Sequence, residues 1–171
     1  MSKAAWGGRP QPERPGPGQE SVWDYPRPPR LEPSSALIEI RFNGVLLART
    51  TASLRVLETS HPPVHYVPIA DVAPGALTPS TRHSWCEWKG EADYFDVAVG
   101  DRVEAAAAWT YPSPTRGFEE LIGHVAFYPA RMDGCWLDGE RVQAQPGDFY
   151  GGWRTSKVVG PFKGAPGTGG W

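Results

Sequence analysis

The stretch from 83 to 96 holds the densest group of reactive and aromatic side chains in the sequence. It contains one thiol, several carboxylates and an ammonium group, including Cys86, Glu87, Lys89 and Glu91. Aromatic residues at positions 85, 88, 94 and 95 lie between and beside them. A thiol, a carboxylate and an ammonium group among aromatic rings can support proton transfer or nucleophilic chemistry. This stretch is therefore the first candidate for a functional site.

Four residues form a candidate acid–base set, namely Glu58, Tyr66, Lys89 and Tyr94. A carboxylate and an ammonium group in an aromatic cavity can have shifted pKa values, and such pairs transfer protons. In this hypothesis Glu58 is the base, Lys89 stabilises a developing oxyanion, and Tyr94 or Tyr66 relays a proton. The alternative is a structural ion pair that braces a proline-rich corner. The sequence leaves both open, because only geometry separates them.

Cys86 is a candidate nucleophile, but the strand predicted around it argues against that role. Side chains alternate between the two faces of a strand, so Cys86 shares a face with Trp88 and points away from Lys89. Lys89 is then not expected to lower the pKa of the thiol. The pattern favours an inert, buried cysteine.

Metal binding is the next alternative. His61, His65, His83 and Cys86 have H-x3-H and H-x2-C spacings, and a tetrahedral zinc ion could use four such ligands. However, paired C-x2-C knuckles are absent, and two prolines stiffen the chain between the first two histidines. We expect no metal. We also expect no cofactor, because the glycine-rich segment 160–170 lacks the order of a phosphate-binding loop and no dinucleotide-binding glycine pattern occurs.

Aromatic residues are concentrated in one half of the chain, at Trp85, Trp88, Tyr94, Trp109, Tyr111, Phe127 and Tyr128. A cavity lined by aromatic rings with a few polar groups is the usual form of a small-molecule site, and it would suit an apolar or cationic ligand. The predicted ligand contacts are His61, Cys86, Trp88, Trp109 and Tyr111. The alternative is that most of these rings fill the core.

Composition limits the classes of protein that remain. The chain has 171 residues, enough for one domain with a hydrophobic core, and a formal net charge of −2. This net charge gives no overall electrostatic attraction to nucleic acid or to an anionic membrane. No apolar run reaches the length of a membrane span. With no apolar signal region and only two cysteines, 49 residues apart, we expect a reduced, cytoplasmic protein.

The local pattern predicts a mainly β domain. Asn43-Gly44 and Asp138-Gly139 each predict a tight hairpin turn. Residues 53–59, 84–89, 92–99, 102–111 and 125–128 are predicted strands. Residues 60–69 are predicted as an extended edge rather than a central strand, because proline cannot donate to a ladder. The segment 70–81 is predicted as loop.

The predicted helix runs from Thr115, its cap, to His124, with its body near 116–124. Residues 1–20 are predicted to be flexible, and 21–171 to form one domain. Its proline- and glycine-rich arms, 21–30 and 146–171, are predicted to wrap the domain in ordered form, anchored by aromatic residues.

Several segments carry a resemblance to a known family: VWDYPRPPR at 22–30, ETSHPPVHY at 58–66, CEWKGEADY at 86–94, WTYP at 109–112, VAFY at 125–128 and GPFKGAPGTGGW at 160–171. The chain resembles the domain-of-unknown-function family 427. The resemblance implies an Mss4-like (β-tent) fold, in which coiled antiparallel sheets meet at an angle around a groove. Many members of that fold group hold zinc through two cysteine pairs, which this sequence lacks. The positions that match the family's motif residues are Glu58, Tyr66, Cys86, Lys89, Tyr94, Trp109 and Tyr111.

The sequence therefore predicts a small-molecule-binding protein with an aromatic-lined pocket. A cofactor-free acid–base enzyme of the cyclase, isomerase, lyase or hydrolase type is one form of this prediction, with a small organic molecule as its partner. The alternative is a non-catalytic protein-interaction or structural β module, which would place its aromatic residues in an exposed patch.

Overall fold

A computed structural model describes residues 8–171 and shows a mainly antiparallel β protein. Its strands are β1 (Glu20–Ser21), β2 (Arg30–Ser34), β3 (Ile38–Phe42), β4 (Val45–Thr50), β5 (Ser53–Leu57), β6 (Val64–Pro68), β7 (Leu77–Cys86), β8 (Gly90–Val99), β9 (Arg102–Thr110), β10 (His124–Phe127), β11 (Gly134–Leu137), β12 (Glu140–Arg141), β13 (Gln143–Ala144), β14 (Trp153–Arg154) and β15 (Val158–Val159). The helical segments are single 3-10 turns at Val22–Asp24, Ile69–Asp71, Glu119–Leu121 and Pro129–Arg131. None of the helical segments described is long and apolar enough to cross a membrane.

Two sheets make up most of the structure. The larger has seven strands in the order β2-β5-β6-β10-β9-β8-β7, and the smaller has four in the order β12-β11-β3-β4. The main core lies between them and includes Ile40, Phe42, Val67 and Phe127. The mainly antiparallel β prediction is confirmed, while the finer β-tent arrangement stays a prediction.

The opposite face of the seven-stranded sheet is also apolar. Side chains alternate along a strand, so the neighbours of the core residues point the other way. On β6, Val67 joins the main core, whereas Tyr66 joins a second cluster with Tyr94, Trp109 and Leu121. The seven-stranded sheet is therefore covered by the smaller sheet on one face and carries an aromatic cluster on the other.

Both predicted hairpins are confirmed. β3 pairs with β4 and β11 with β12, each pair joined by a two-residue turn. Asn43 and Gly44 have φ values of 50° and 76°, and Asp138 and Gly139 have 49° and 80°. Positive φ at both central residues matches the type I′ turn, whose twist fits the twist of the flanking strands. The alanine-rich strand predicted at 102–111 is also confirmed, as β9.

The prediction that residues 60–69 cannot form a central strand is wrong. β6 lies inside the seven-stranded sheet, paired with β5 on one side and β10 on the other. Pro62 and Pro63 precede β6 and Pro68 ends it, so the strand interior keeps its amide donors. Similarly, the predicted loop 70–81 is shorter than expected, because β7 begins at Leu77. β7 is an edge strand and tolerates Pro79.

The predicted helix at 115–124 is wrong. Only Glu119–Leu121 is helical, as one 3-10 turn. Gly117 and Gly123 have φ values of 96° and 79°, which an α-helix does not permit, and they bracket this turn. Thr115 does not cap a helix either, since its hydroxyl donates to the carbonyl oxygen of Trp88.

The terminal arms pack on the domain as predicted. In the first arm, Val22, Trp23 and Tyr25 are buried, and the Trp23 indole donates to the Pro161 carbonyl oxygen of the second arm at 2.9 Å. β1 and β15 join the arms by a short parallel pairing.

Of the segment 1–20 predicted to be flexible, residues 1–7 lie outside the described residues. The remainder makes some contacts, such as the bond of 2.9 Å from the Arg9 guanidinium to the Trp23 carbonyl oxygen. The division into a flexible segment and one domain stays a prediction.

Trp153 anchors the second arm in the main core, where it is 1% exposed. We expect Trp153→Ala to lower the free energy of unfolding by about 3–5 kcal/mol, because it removes a large buried side chain and leaves a cavity. Urea unfolding followed by circular dichroism measures the change. Phe149→Ala is the matched control: Phe149 lies in the same arm and is 60% exposed, so its loss should change the value by less than about 0.5 kcal/mol. Equal losses in both variants would contradict this anchoring role.

Candidate functional site

A cavity of about 280 Å³ opens on the aromatic face of the seven-stranded sheet. All nine predicted site residues line it: Glu58, His61, Tyr66, Cys86, Trp88, Lys89, Tyr94, Trp109 and Tyr111. Its size approaches the lower end of the range for small-molecule sites. The structure thus brings the predicted set together in one place, while the role of each residue stays a prediction.

Three elements supply the side chains of the floor and one wall. β6, β8 and β9 present Tyr66, Tyr94 and Trp109 from the same sheet face. The Trp109 indole donates to the Tyr66 hydroxyl at 3.3 Å, and the hydroxyls of Ser84 and Tyr94 are 2.9 Å apart. These bonds fix the rings, so the wall is formed before any ligand arrives.

The turn between β7 and β8 supplies Trp88 and Lys89. The strand predicted at 84–89 is wrong in its second half: β7 ends at Cys86, and the chain turns back through residues 87–89 into Gly90, whose φ is 99°. Thr115 supports this turn, because its hydroxyl donates to the Trp88 carbonyl oxygen and its amide donates to the Lys89 carbonyl oxygen at 3.0 Å. The turn therefore holds the Lys89 side chain over the cavity.

Because of this turn, the prediction that the side chains of Cys86 and Lys89 point away from each other is wrong. The alternation rule applies only within a strand, and Lys89 lies outside it. Both side chains line the same cavity, and so does Tyr111. Cys86 is partly exposed rather than fully buried.

Lys89 is a buried cation. Its side chain lines the cavity, yet the residue is only 8% exposed, and its ammonium nitrogen lies 5.5 Å from the centre of the Tyr111 ring. Burial by itself would lower the pKa of Lys89, but the nearby Tyr66, Cys86 and Glu58 side chains outweigh it and raise the pKa above its ordinary value. Within residues 8–171, no carboxylate approaches the ammonium nitrogen to within 4.0 Å.

Glu58 ends a chain of polar contacts that begins at Gln145. The Gln145 amide oxygen accepts from the Gly152 amide at 3.0 Å, and its nitrogen donates to the Lys163 carbonyl oxygen at 2.8 Å. These backbone partners fix the orientation of the side-chain amide. The same nitrogen lies 3.0 Å from Nδ1 of His61, which must therefore accept.

The proton of neutral His61 then lies on Nε2, 3.4 Å from Oε2 of Glu58. The same carboxylate oxygen accepts from Nε of Arg27 at 3.3 Å. Both ring nitrogens of His61 thus have protein partners, so the ring positions Glu58 and is not free to transfer a proton to a ligand.

The pKa of Glu58 shows which role suits its carboxylate. Burial raises the pKa, but the hydrogen bond from His61 and the charges of Lys89 and Arg27 lower it more, to about 2. A carboxylate with such a pKa is a weak base at neutral pH, because the best catalytic bases have pKa values near the working pH. Glu58 does form an ion pair, but its partner is Arg27 and not Lys89, with which the alternative had paired it. The catalytic role of Glu58 stays a prediction.

The tyrosines of the cavity act as hydrogen-bond donors and acceptors in their neutral form. Burial is the largest cause that raises the pKa of Tyr66, Tyr111 and Tyr128. Tyr128 also donates to the Phe149 carbonyl oxygen at 3.2 Å, which connects the sheet to the second arm. The cavity therefore combines neutral hydroxyls, one buried ammonium group and indole rings.

The wall contributed by Gln145 and the second arm was not predicted from the sequence. Gln145, Phe149, Tyr150, Gly151 and Lys163 line the cavity, and none of them was predicted. The available signal was the pair Gly151-Gly152. A Cβ on Gly151 would lie 2.1 Å from the Trp109 ring, and one on Gly152 would lie 2.6 Å from Gln145 Oε1. Adjacent glycines can mark such a close approach of backbone to side chain.

The zinc ligand set does not come together in the described chain. Within the described residues, the side chains that lie close enough together to share an ion are those of His83, Glu91 and Asp93, at an exposed edge. Nδ1 of His83 lies 2.8 Å from a carboxylate oxygen of Asp93. His65 lies elsewhere, against Trp153, and burial lowers its pKa to about 3.

The chain belongs to a protein family of unknown function, as comparison with known families shows. Residues 30–138 match the family described as "Domain of unknown function (DUF427)". The match covers the sheet residues of the cavity and the turn with Lys89, and it ends before the second arm. No curated protein matches the chain.

The Glu58 pKa leads to a testable pH dependence. The folded value of about 2 lies below the ordinary 4.5, so the carboxylate stabilises the fold fully above pH 4.5, and this contribution is lost as pH falls towards 2. We expect Glu58→Gln to lower the free energy of unfolding by up to about 3 kcal/mol at pH 7. The difference from wild type should shrink steadily below pH 4.5, as measured by urea unfolding.

Glu87→Gln is the control for this experiment. Glu87 is an exposed carboxylate at the same cavity, and its loss should change the free energy by less than about 0.5 kcal/mol. A Glu58→Gln difference that stays constant from pH 7 to pH 3 would show that the ion pair does not stabilise the fold.

Proposed function

We propose that the protein binds a small organic anion with an aromatic or apolar body, held in the cavity on the aromatic face of the seven-stranded sheet. The observation that carries the proposal is the buried ammonium group of Lys89, which lines the cavity and has no carboxylate within 4.0 Å among residues 8–171. The aromatic rings around it would enclose the body of the ligand.

The Lys89 ammonium group has no carboxylate within 4.0 Å among residues 8–171, so an anionic ligand could add a direct contact to it. Desolvating a charged group opposes its burial unless an opposite charge or hydrogen bonds compensate. Glu58 compensates only in part, because its carboxylate oxygen Oε2 already accepts from Arg27 and lies 3.4 Å from Nε2 of His61. A carboxylate placed beside Lys89 would form a charge-assisted hydrogen bond in surroundings that exclude water.

The position of Lys89, rather than the net charge of the lining, supports an anion over a cation. The lining holds two carboxylates, Glu58 and Glu87, and two ammonium groups, Lys89 and Lys163, but Glu87 is exposed and Glu58 is paired with Arg27. Aromatic rings alone would suit a cation, as the sequence suggested, but a ligand cation would be repelled by the buried ammonium group. Trp88, Trp109 and Tyr111 supply the surface for stacking against an aromatic ligand.

The same donors fit acid–base catalysis without a cofactor. Lys89 and the Tyr66 hydroxyl are placed to stabilise negative charge that develops on an oxygen atom. The interaction-module alternative would use the exposed Trp85 and Phe149, 73% and 60% accessible, which lie at the cavity and not in a separate patch. We also propose a reducing compartment such as the cytoplasm, supported by the two free cysteines.

The proposal predicts that small aromatic carboxylates bind and that their amides do not. Benzoate, phenylacetate and indole-3-acetate, each paired with its neutral amide, would be titrated into the protein by isothermal calorimetry. Lys89→Met should weaken carboxylate binding by about 10- to 100-fold, the loss expected for one charge-assisted hydrogen bond. The variant should still fold, as its thermal unfolding curve would show, because methionine is an apolar chain of similar length that fills the same space.

Lys157→Met is the matched control. Lys157 is exposed, forms its ion pair with Asp138 at 3.1 Å and lies away from the cavity, so its loss should leave carboxylate affinity unchanged. Equal affinity for acids and amides, or equal affinity of wild type and Lys89→Met, would refute the proposal.

A further inference from the structure

We propose that Cys86 is the nucleophile of this cavity and that Lys89 directs it towards anionic electrophiles. The ligands in question are small carboxylates with an electrophilic carbon next to the carboxylate group. The inference rests on the proposed function, because it uses the same anion site, and it adds a covalent step at a named atom. This proposal differs from the prediction made from the sequence, in which Cys86 is inert and buried.

The first observation is the position of the thiol. Cys86 ends β7 at the start of the turn, lines the cavity and is partly exposed. It lines the cavity together with Lys89 and Tyr111. Reactive cysteines are typically partly exposed and lie near a cationic side chain.

The second observation is independent of the cysteine. Lys89 is nine-tenths buried, points into the same cavity and has no carboxylate partner within 4.0 Å among residues 8–171. A carboxylate attracted to this ammonium group would place its neighbouring carbon atoms close to Cys86. The thiol and the anion site are therefore arranged as a nucleophile and a positioning group for one ligand.

Cys135 supplies an internal comparison, because the two cysteines have opposite environments. Cys135 lies on β11 in the main core, is 1% exposed and does not line this cavity. Burial raises the pKa of its thiol well above the ordinary range. Reagents should therefore modify Cys86 in the folded protein and leave Cys135 intact.

Iodoacetate is a suitable probe, since it carries a carboxylate next to an electrophilic carbon. The thiolate sulfur attacks the CH₂ carbon, the S–C bond forms as the C–I bond breaks, and iodide leaves with the electron pair. The thiol proton passes to solvent before attack. Iodoacetamide undergoes the same displacement without a negative charge, so the ratio of the two rates isolates the effect of the charge.

The experiment measures both rates on the folded, full-length protein, with peptide mass spectrometry to locate the label. For a small free thiol the neutral reagent is the faster one, because the thiolate repels the anion. We expect Cys86 to reverse this preference, with the iodoacetate-to-iodoacetamide ratio at least about tenfold above that of the free thiol. Lys89→Met should return the ratio to the free-thiol value, and Lys157→Met should leave it as in wild type.

Benzoate protection connects the label to the cavity: saturating benzoate should slow the modification of Cys86, and benzamide should not. Labelling of Cys86 with the free-thiol ratio, or a ratio that Lys89→Met does not change, would overturn the inference. So would modification of Cys135 in preference to Cys86. If carboxylates bind in the calorimeter while Cys86 shows no preference for iodoacetate, the inference fails and the anion-binding proposal stands. If no carboxylate binds and no preference appears, both fail.

Discussion

The seven-stranded sheet is apolar on both faces, and the need to cover both faces shapes the rest of the protein. One face packs against the four-stranded sheet, and a continuous core results. On the other face, Tyr66, Tyr94 and Trp109 form a cluster that short segments cover only in part. Apolar surface left in contact with water is unfavourable, so this incompletely covered face is where a ligand gains most from burial.

Lys89 is the main departure from an apolar surface on that face. The turn that carries it is held by Thr115, whose segment includes Gly117 and Gly123 with positive φ values that an α-helix does not permit. The two glycines keep this segment in an irregular path that brings Thr115 against the turn. The turn that carries the buried ammonium group is thus held by a backbone hydrogen bond from Thr115, which lies 26 residues further along the sequence.

Local signals explain which features could be predicted from the sequence. Asn43-Gly44 specifies its turn through the backbone preferences of two adjacent residues, so the hairpin needs no information from elsewhere. The candidate site was found through residue types concentrated in one stretch and through the family resemblance. The direction of Lys89 relative to Cys86 could not be predicted, because the end of β7 depends on Gly90 and on the distant Thr115.

Gln145, which precedes the second arm, shows a different limit of sequence reasoning. It was not predicted because a single buried amide has no periodicity, and its three partners, His61, Gly152 and Lys163, are 84, 7 and 18 residues away. The prolines at 62 and 63 led to a wrong prediction of a different kind. They suggested an edge, although they lie just outside a strand whose interior amides are intact.

The wall formed by the second arm also has a consequence for the order of events during synthesis. Tyr150, Gly151 and Lys163 border the cavity, while the sheet residues opposite them are all made by residue 128. The sheet can therefore pair while residues 150–163 are still inside the ribosome, and at that stage the cavity has only part of its boundary. Until Gly151 packs against Trp109, the aromatic face is open to other nascent chains and chaperones. The cavity is thus completed only after the sheet that forms its floor.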